Sequence, residues 1–204
     1  YLAVAAFTIA WRRMQNQKNY EGTNVIMRYT LRLLTAQQFE RASRLIVAME
    51  FLRNFYSKEL RSEPISIGMW VGQSSTPNNI KSTNEYNKGA YEYCQNIEEE
   101  INKTDNKKIK TDPNKLNKFQ ISSCPYCGTK LITKDENETW HNGFRATQKD
   151  FHIKCVNPEC YFHEKLPVQV VDEMLYREPP TLLFGTVDKF AMLSWKGEAH
   201  TFFK

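Results

Sequence analysis

Four of the five cysteines stand in two close pairs, Cys124-Pro125-Tyr126-Cys127-Gly128 and Cys155-Val156-Asn157-Pro158-Glu159-Cys160. Thiolates at C-x2-C and C-x4-C spacing, with 27 residues between the pairs, can converge on one tetrahedral ion. Gly128 eases the turn that aims backbone amides at sulfur. Zn2+ is the natural occupant. Because all four positions are sulfur, none is left for a reactive water, and the expected metal site is structural. Two disulfides or four unlinked thiols are the other uses of such a set. The apolar start of the chain (YLAVAAFTIAW) lacks the basic residues and small-residue cleavage site of a secretion signal, which favours a reducing, cytoplasmic setting and zinc.

His141, His152 and His163 lie near the cysteines and read as surface or packing residues, since four sulfurs already suffice. Cys94 falls on the apolar stripe of a helical segment, where an inert buried thiol is expected. A second group with chemical potential is Val170-Val171-Asp172-Glu173, an apolar run ending in two acids, the pattern that holds magnesium in nucleotide hydrolases. Such a site also needs G-x-x-x-x-G-K-[ST] to cradle phosphates, and the sequence contains none. Asp172 is therefore expected to cap a short helix, with Glu173 at its positive end. No G-x-S-x-G elbow, H-E-x-x-H helix or glycine-rich dinucleotide turn is present either.

Composition sets the frame for these groups. A chain of 204 residues, 41% hydrophobic, can bury a sizeable core, and a net charge of +5 permits a nucleic-acid partner without requiring one. The apolar start is too short to span a bilayer, so no membrane partner is expected. Residues 1–14 read as a helix apolar on all sides and buried, residues 24–30 as a strand. Thr35-Ala36-Gln37-Gln38 has capping-box form, and Phe39, Ala42, Leu45, Ile46, Met49 and Leu52 then define an inward helical face, with Arg41, Arg44 and Glu50 outward.

Residues 65–71 (ISIGMWV) read as a buried strand, so the alternation points to an open α/β sheet. From residue 73 the regularity stops. A polar loop leads to a helical segment at 84–102, and the run Lys103, Lys107, Lys108, Lys110, Lys115 and Lys118 reads as a solvated linker. The organisation expected is 1–72 sheet, 73–119 helical and lysine-rich insertion, 120–165 zinc ribbon, and 166–204 return to the sheet.

Three segments carry a resemblance: residues 1–14, residues 27–41 (MRYTLRLLTAQQFER) and residues 180–193 (PTLLFGTVDKFAML). Together the chain resembles the first motor domain of superfamily 2 DNA helicases, most closely the large helicase component of the DISARM phage-defence system. The resemblance implies a partial RecA-like (P-loop NTPase type) α/β fold, with residues 1–14 as the helix after a phosphate loop lying upstream. Residues 27–41 resemble motif Ia and residues 180–193 motif Ib, which grip one DNA strand by its phosphates.

By the same resemblance Thr30, Arg32, Thr35, Gln38, Thr186 and Lys189 are candidates for DNA-backbone contact. Thr35 and Thr186 as plain helix caps, and Arg32 as a surface cation, are equally compatible with the residue types. ATP and Mg2+ belong to the intact parent protein, since Walker A and Walker B are absent here, and the chain by itself is expected not to hydrolyse ATP. Implied partners are DNA, the remainder of the helicase chain and defence-system proteins. The alternative is a freestanding zinc-ribbon module that binds nucleic acid or protein.

Overall fold

The computed structural model describes residues 1–15, 22–30, 35–105, 112–193, 195 and 197–203. In chain order the elements are helix α1 (Leu2–Met14), strand β1 (Val25–Tyr29), helices α2 (Thr35–Phe55) and α3 (Ser57–Leu60), strand β2 (Ile67–Trp70) and helix α4 (Ala90–Asp105). A 3-10 turn (Pro113–Leu116) leads to four short strands, β3 (Ile132–Lys134), β4 (Trp140–Asn142), β5 (Phe144–Ala146) and β6 (Phe151–Ile153). Strand β7 (Val168–Gln169), helix α5 (Asp172–Arg177), strand β8 (Leu182–Thr186), helix α6 (Val187–Ala191) and a 3-10 helix (Gly197–Phe203) follow. They divide into two compact units, Tyr1–Gly72 with Pro167–Lys204, and Gln73–Leu166. Among the described residues no helix is long and apolar enough to cross a membrane.

The first unit is a mixed α/β structure around a four-stranded parallel sheet in the order β1-β8-β2-β7. Strand β8 sits inside it, pairing Leu182–Thr186 with Val25–Tyr29 on one side and with Ile67–Trp70 on the other. A strand covered on both faces must be apolar throughout, which is why Leu-Leu-Phe-Gly-Thr is buried at every position while β1 alternates. Gly68 in β2 is a matter of space: a Cβ there would lie 2.4 Å from Leu175 Cδ2 and 2.6 Å from Pro180 Cγ. Its absence lets α5 and the turn into β8 close onto the sheet.

Two helical faces differ from the expectation, for one reason. Helix α2 buries Phe39, Ala42, Ile46 and Val47, but Leu52 is exposed and Glu50 is buried with Arg53. The Glu50 carboxylate accepts the Ile65 amide at 2.7 Å and both Arg53 nitrogens at 2.7 Å, while Arg53 also donates to the carbonyls of Arg61 and Ser62. The turn ahead of β2 carries backbone groups that must be satisfied, and this need outweighs the apolar stripe in setting the face. Helix α1 behaves likewise. Instead of being buried on all sides it buries Ala5, Ile9 and Arg13 in one line, with Arg13 donating to the carbonyls of Leu60, Glu63 and Pro64, and leaves Val4, Phe7, Trp11 and Met14 exposed.

In the second unit, β3 pairs antiparallel with β4 and β5 with β6, three residues each. Phe119, Phe144 and Phe151 stack in its core at centroid distances of 4.6 and 4.7 Å. Helix α4 begins at Ala90 rather than at residue 84. Asn84 Oδ1 accepts the amides of Tyr86 and Asn87 to make a tight turn, and Gly89 packs so closely that a Cβ would lie 2.4 Å from the Ile80 carbonyl oxygen. Glu92 then accepts the free amides of Ser82 and Gly89, as a first-turn acid should.

Candidate metal centre

The two cysteine turns are built by their own backbones. In the first, the Cys124 amide donates to the Thr129 carbonyl at 2.8 Å and the Gly128 amide to the Cys124 carbonyl at 2.9 Å, with Gly128 left-handed at φ 81°. The amides of Tyr126 and Cys127 are thereby turned toward Cys124 Sγ. In the second, the Cys155 amide reaches the Phe162 carbonyl at 3.0 Å and the Cys160 amide the Asn157 carbonyl at 3.1 Å, while Asn157 Oδ1 accepts from Glu159. Turns of this kind hold two sulfurs on one side.

The four sulfurs lie within 4.8 Å of one another. Cys124 and Cys160 are 3.8 Å apart and Cys127 and Cys155 3.5 Å. A disulfide needs sulfurs at about 2.05 Å, whereas zinc–sulfur bonds of about 2.3 Å at tetrahedral angles put sulfurs about 3.8 Å apart. The cysteines are free thiols whose spacing fits a bound metal ion, and among the described residues no other group of three or more His, Cys, Asp or Glu gathers in this way.

Protonation differs across the set. Burial pushes Cys124 up to about 11, and burial likewise raises Cys155. Cys127 is the exposed member. Its partial burial works against ionisation, but Thr129, whose hydroxyl lies 3.3 Å from the sulfur, and the neighbouring thiols outweigh that and bring it down to about 7. A divalent cation would deprotonate all four outright. The chemistry available is binding and cross-linking of the two turns, because nothing in the set leaves a coordination position open.

The three nearby histidines stand outside the cluster. His141 Nε2 is 3.0 Å from Asp135, His152 Nδ1 3.6 Å from Asp150, and His163 contacts the Cys160 carbonyl and Glu164. Cys94 is buried on α4, its thiol raised to about 12 by burial and then by Glu98.

The residues singled out as DNA contacts are distributed unevenly in the first unit. Thr30 is exposed just beyond β1, and Gln38 is half-buried in the first turn of α2, which starts at Thr35. Arg32 lies outside the described residues. Thr186 ends β8 at the N-cap position of α6, but it is 3% exposed, makes no capping hydrogen bond, and leaves its Oγ1 buried with no partner among the described residues. Lys189 is 6% exposed. Its ammonium donates to Asp172 Oδ2 and lies 5.9 Å from the centroid of the Trp70 ring.

Asp172 therefore has a different place from the helix cap expected of it. Val171 occupies the cap position, and Asp172, 1% exposed in the first turn of α5, is the buried partner of Lys189. Glu173 is half-buried and pairs with Arg177 one turn on. Around the ion pair, Trp70 Nε1 donates to the Tyr176 hydroxyl at 2.9 Å, and burial followed by the charge of Asp172 raises that phenol. Sequence reasoning missed this pairing. No local pattern marks it, because the two residues stand seventeen positions apart on different helices.

No protein-family model matches the chain. Over 206 aligned residues, covering 96% of the chain, it is 35% identical to the DISARM protein DrmA of Bacillus paralicheniformis, and the aligned stretch is 16% of that relative's length. The similarity runs through both compact units, insertion included.

Proposed function

Since the chain is related over nearly its whole length to a segment of a DISARM protein, we propose that it is part of a phage-defence DNA helicase or translocase. In this reading the parallel sheet is a portion of a RecA-like motor domain, and the Gln73–Leu166 unit is an insertion carrying a zinc ribbon. The observation that carries the reading is the 35% identity to DrmA across 96% of the chain. The convergence of four free thiols at metal-binding spacing supports zinc as the ion of the insertion.

Bound zinc would join Cys124, Cys127, Cys155 and Cys160 and so fix the two turns, with no reaction step of its own. Thr30, Arg32, Thr35 and Gln38 belong to the segment that meets the phosphates of one DNA strand, where a helix start and small hydroxyls are suited to reading backbone rather than bases. Lys189 is already held by Asp172 and so ties α6 to α5, and Thr186 ends the strand that leads into α6. ATP binding and hydrolysis are functions of the longer protein.

Two measurements on the purified chain test this. Metal analysis should return one zinc per chain, lost with chelator. Fluorescence anisotropy with single-stranded and duplex DNA should show binding in low salt that weakens steeply as salt rises. A chain that binds neither DNA in low salt would remove the nucleic-acid reading.

A further inference from the structure

The Gln73–Leu166 unit contains a cavity of about 300 Å³ that neither the cysteines nor the sheet segments account for. Its wall combines the hydroxyl-bearing loop Ser74-Ser75-Thr76 with Tyr86, Lys88 and Lys118. Lys88 and Lys118 are exposed and make no ion pair among the described residues, and no described Asp or Glu lines the cavity. Two cations thus share a wall that holds no described acid.

A second, independent observation points to an occupant. Thr76 is only 1% exposed, yet its Oγ1 is buried with no hydrogen-bond partner among the described residues. Buried hydroxyls are paired as a rule, so this residue of the cavity wall carries a polar group that the described residues leave unsatisfied. The loop carrying it is anchored by Gln120, whose Nε2 donates to the Ser75 carbonyl at 3.0 Å. At the rim, the Asn84–Asn87 turn holds Tyr86 out with 92% of its surface in solvent, so its ring faces are free to be covered.

We infer that this cavity binds the phosphate backbone of single-stranded nucleic acid, with Lys88 and Lys118 meeting phosphates, the serine and threonine hydroxyls completing the polar wall, and Tyr86 stacking on a base. Point-charge lysines beside an exposed aromatic ring are the chemistry of strand binding without sequence preference. A site for a free small molecule is mostly apolar and enclosing, whereas here only Pro77 and the tyrosine rings are apolar. The inference takes its ligand class from the proposed function but assigns the contact to residues of the insertion rather than to Thr30 and Gln38.

The test uses the whole zinc-loaded chain and fluorescein-labelled oligo-dT of about twenty nucleotides, enough for one such site. Lys88→Ala with Lys118→Ala should lower the slope of log affinity against log salt by about 1.4, two phosphate contacts at about 0.7 each. Tyr86→Ala should weaken binding about tenfold. Lys58→Ala with Lys115→Ala, an equal charge loss elsewhere, should leave the slope unchanged. Circular dichroism and zinc content confirm that each variant is folded.

If the cavity variants bind as wild type while Thr30→Ala with Gln38→Ala weakens binding, this inference falls and the motor reading stands. The opposite pattern supports the cavity and overturns contact by Thr30 and Gln38. Absence of binding by the wild-type chain in low salt removes both, and displacement of the oligonucleotide by AMP at equal concentration reassigns the cavity to a free nucleotide.

Discussion

The two units are held together by different means, and the difference follows from what each can bury. The sheet unit has two parallel strands, β2 and β8, buried at every position, and an apolar cluster of Trp70, Leu175, Leu183, Ala199 and Phe202, with Tyr176 and Phe190 packed around it. The insertion has two antiparallel pairs of three-residue strands. Isolated pairs that short are marginal in water, and small modules generally need a staple beyond their apolar core. The four thiols are the staple available.

Metal removal is the strongest way to break this comparison. Structural zinc in small modules contributes about 10–16 kcal/mol, more than the hairpins can replace. Chelation, or Cys124→Ser, should therefore abolish hydrogen-exchange protection at the amides of Leu131, Gly143, Lys154 and Leu166, which now bond between segments of the insertion. The amides of Leu183 and Phe184 in β8 should stay protected. Acid should act in the same direction: protons compete with the metal for thiolate, so protection of these amides is lost as pH falls. A fully metal-free chain with an unchanged exchange pattern at these amides would show that the apolar core of the insertion suffices.

In the sheet unit the corresponding weak point is electrostatic. Lys189→Met leaves Asp172 buried without its cation, a change that costs about 3–5 kcal/mol, whereas Lys189→Met with Asp172→Leu removes both charges and should recover much of the loss. Urea midpoints read on the Trp70 environment would measure both, and equal destabilisation by the single and double variants would mean that the pair is not coupled. The exchange pattern of the insertion serves as the internal control and should not move.

How far the sequence displayed these arrangements depended on the range of the interaction. Local signals were legible: Thr35 opens α2, residues 65–71 contain β2, and the spacing of Cys124, Cys127, Cys155 and Cys160 foretold a cluster that the structure brings within 4.8 Å. Polar residues buried by distant partners were not. Glu50 looked outward because its helical position is polar, yet Ile65, fifteen residues on, needs its carboxylate; Asp172 looked like a cap because Lys189, seventeen residues on, leaves no local trace. Period reports where apolar groups go, whereas the fate of a buried charge is fixed only when its partner arrives.

The smallest effects sharpen the comparison at two glycines that are required for opposite reasons. Gly68 lacks space: an added Cβ meets Leu175 and Pro180 below 3 Å, so Gly68→Ala forces overpacking, about 1–3 kcal/mol against the sheet unit. Gly128 has space, with nothing within 4 Å of a built Cβ, but its φ of 81° is left-handed, so Gly128→Ala costs about 1 kcal/mol in backbone conformation alone. The remedies should therefore differ. Leu175→Ala should partly rescue Gly68→Ala by opening room, and Gly128→Asn should be milder than Gly128→Val, since asparagine tolerates the left-handed region and valine does not. Thermal melts of the zinc-loaded chain decide the first, and zinc competition with a chromogenic chelator decides the second, because Gly128 acts by holding the first cysteine turn in shape for the metal.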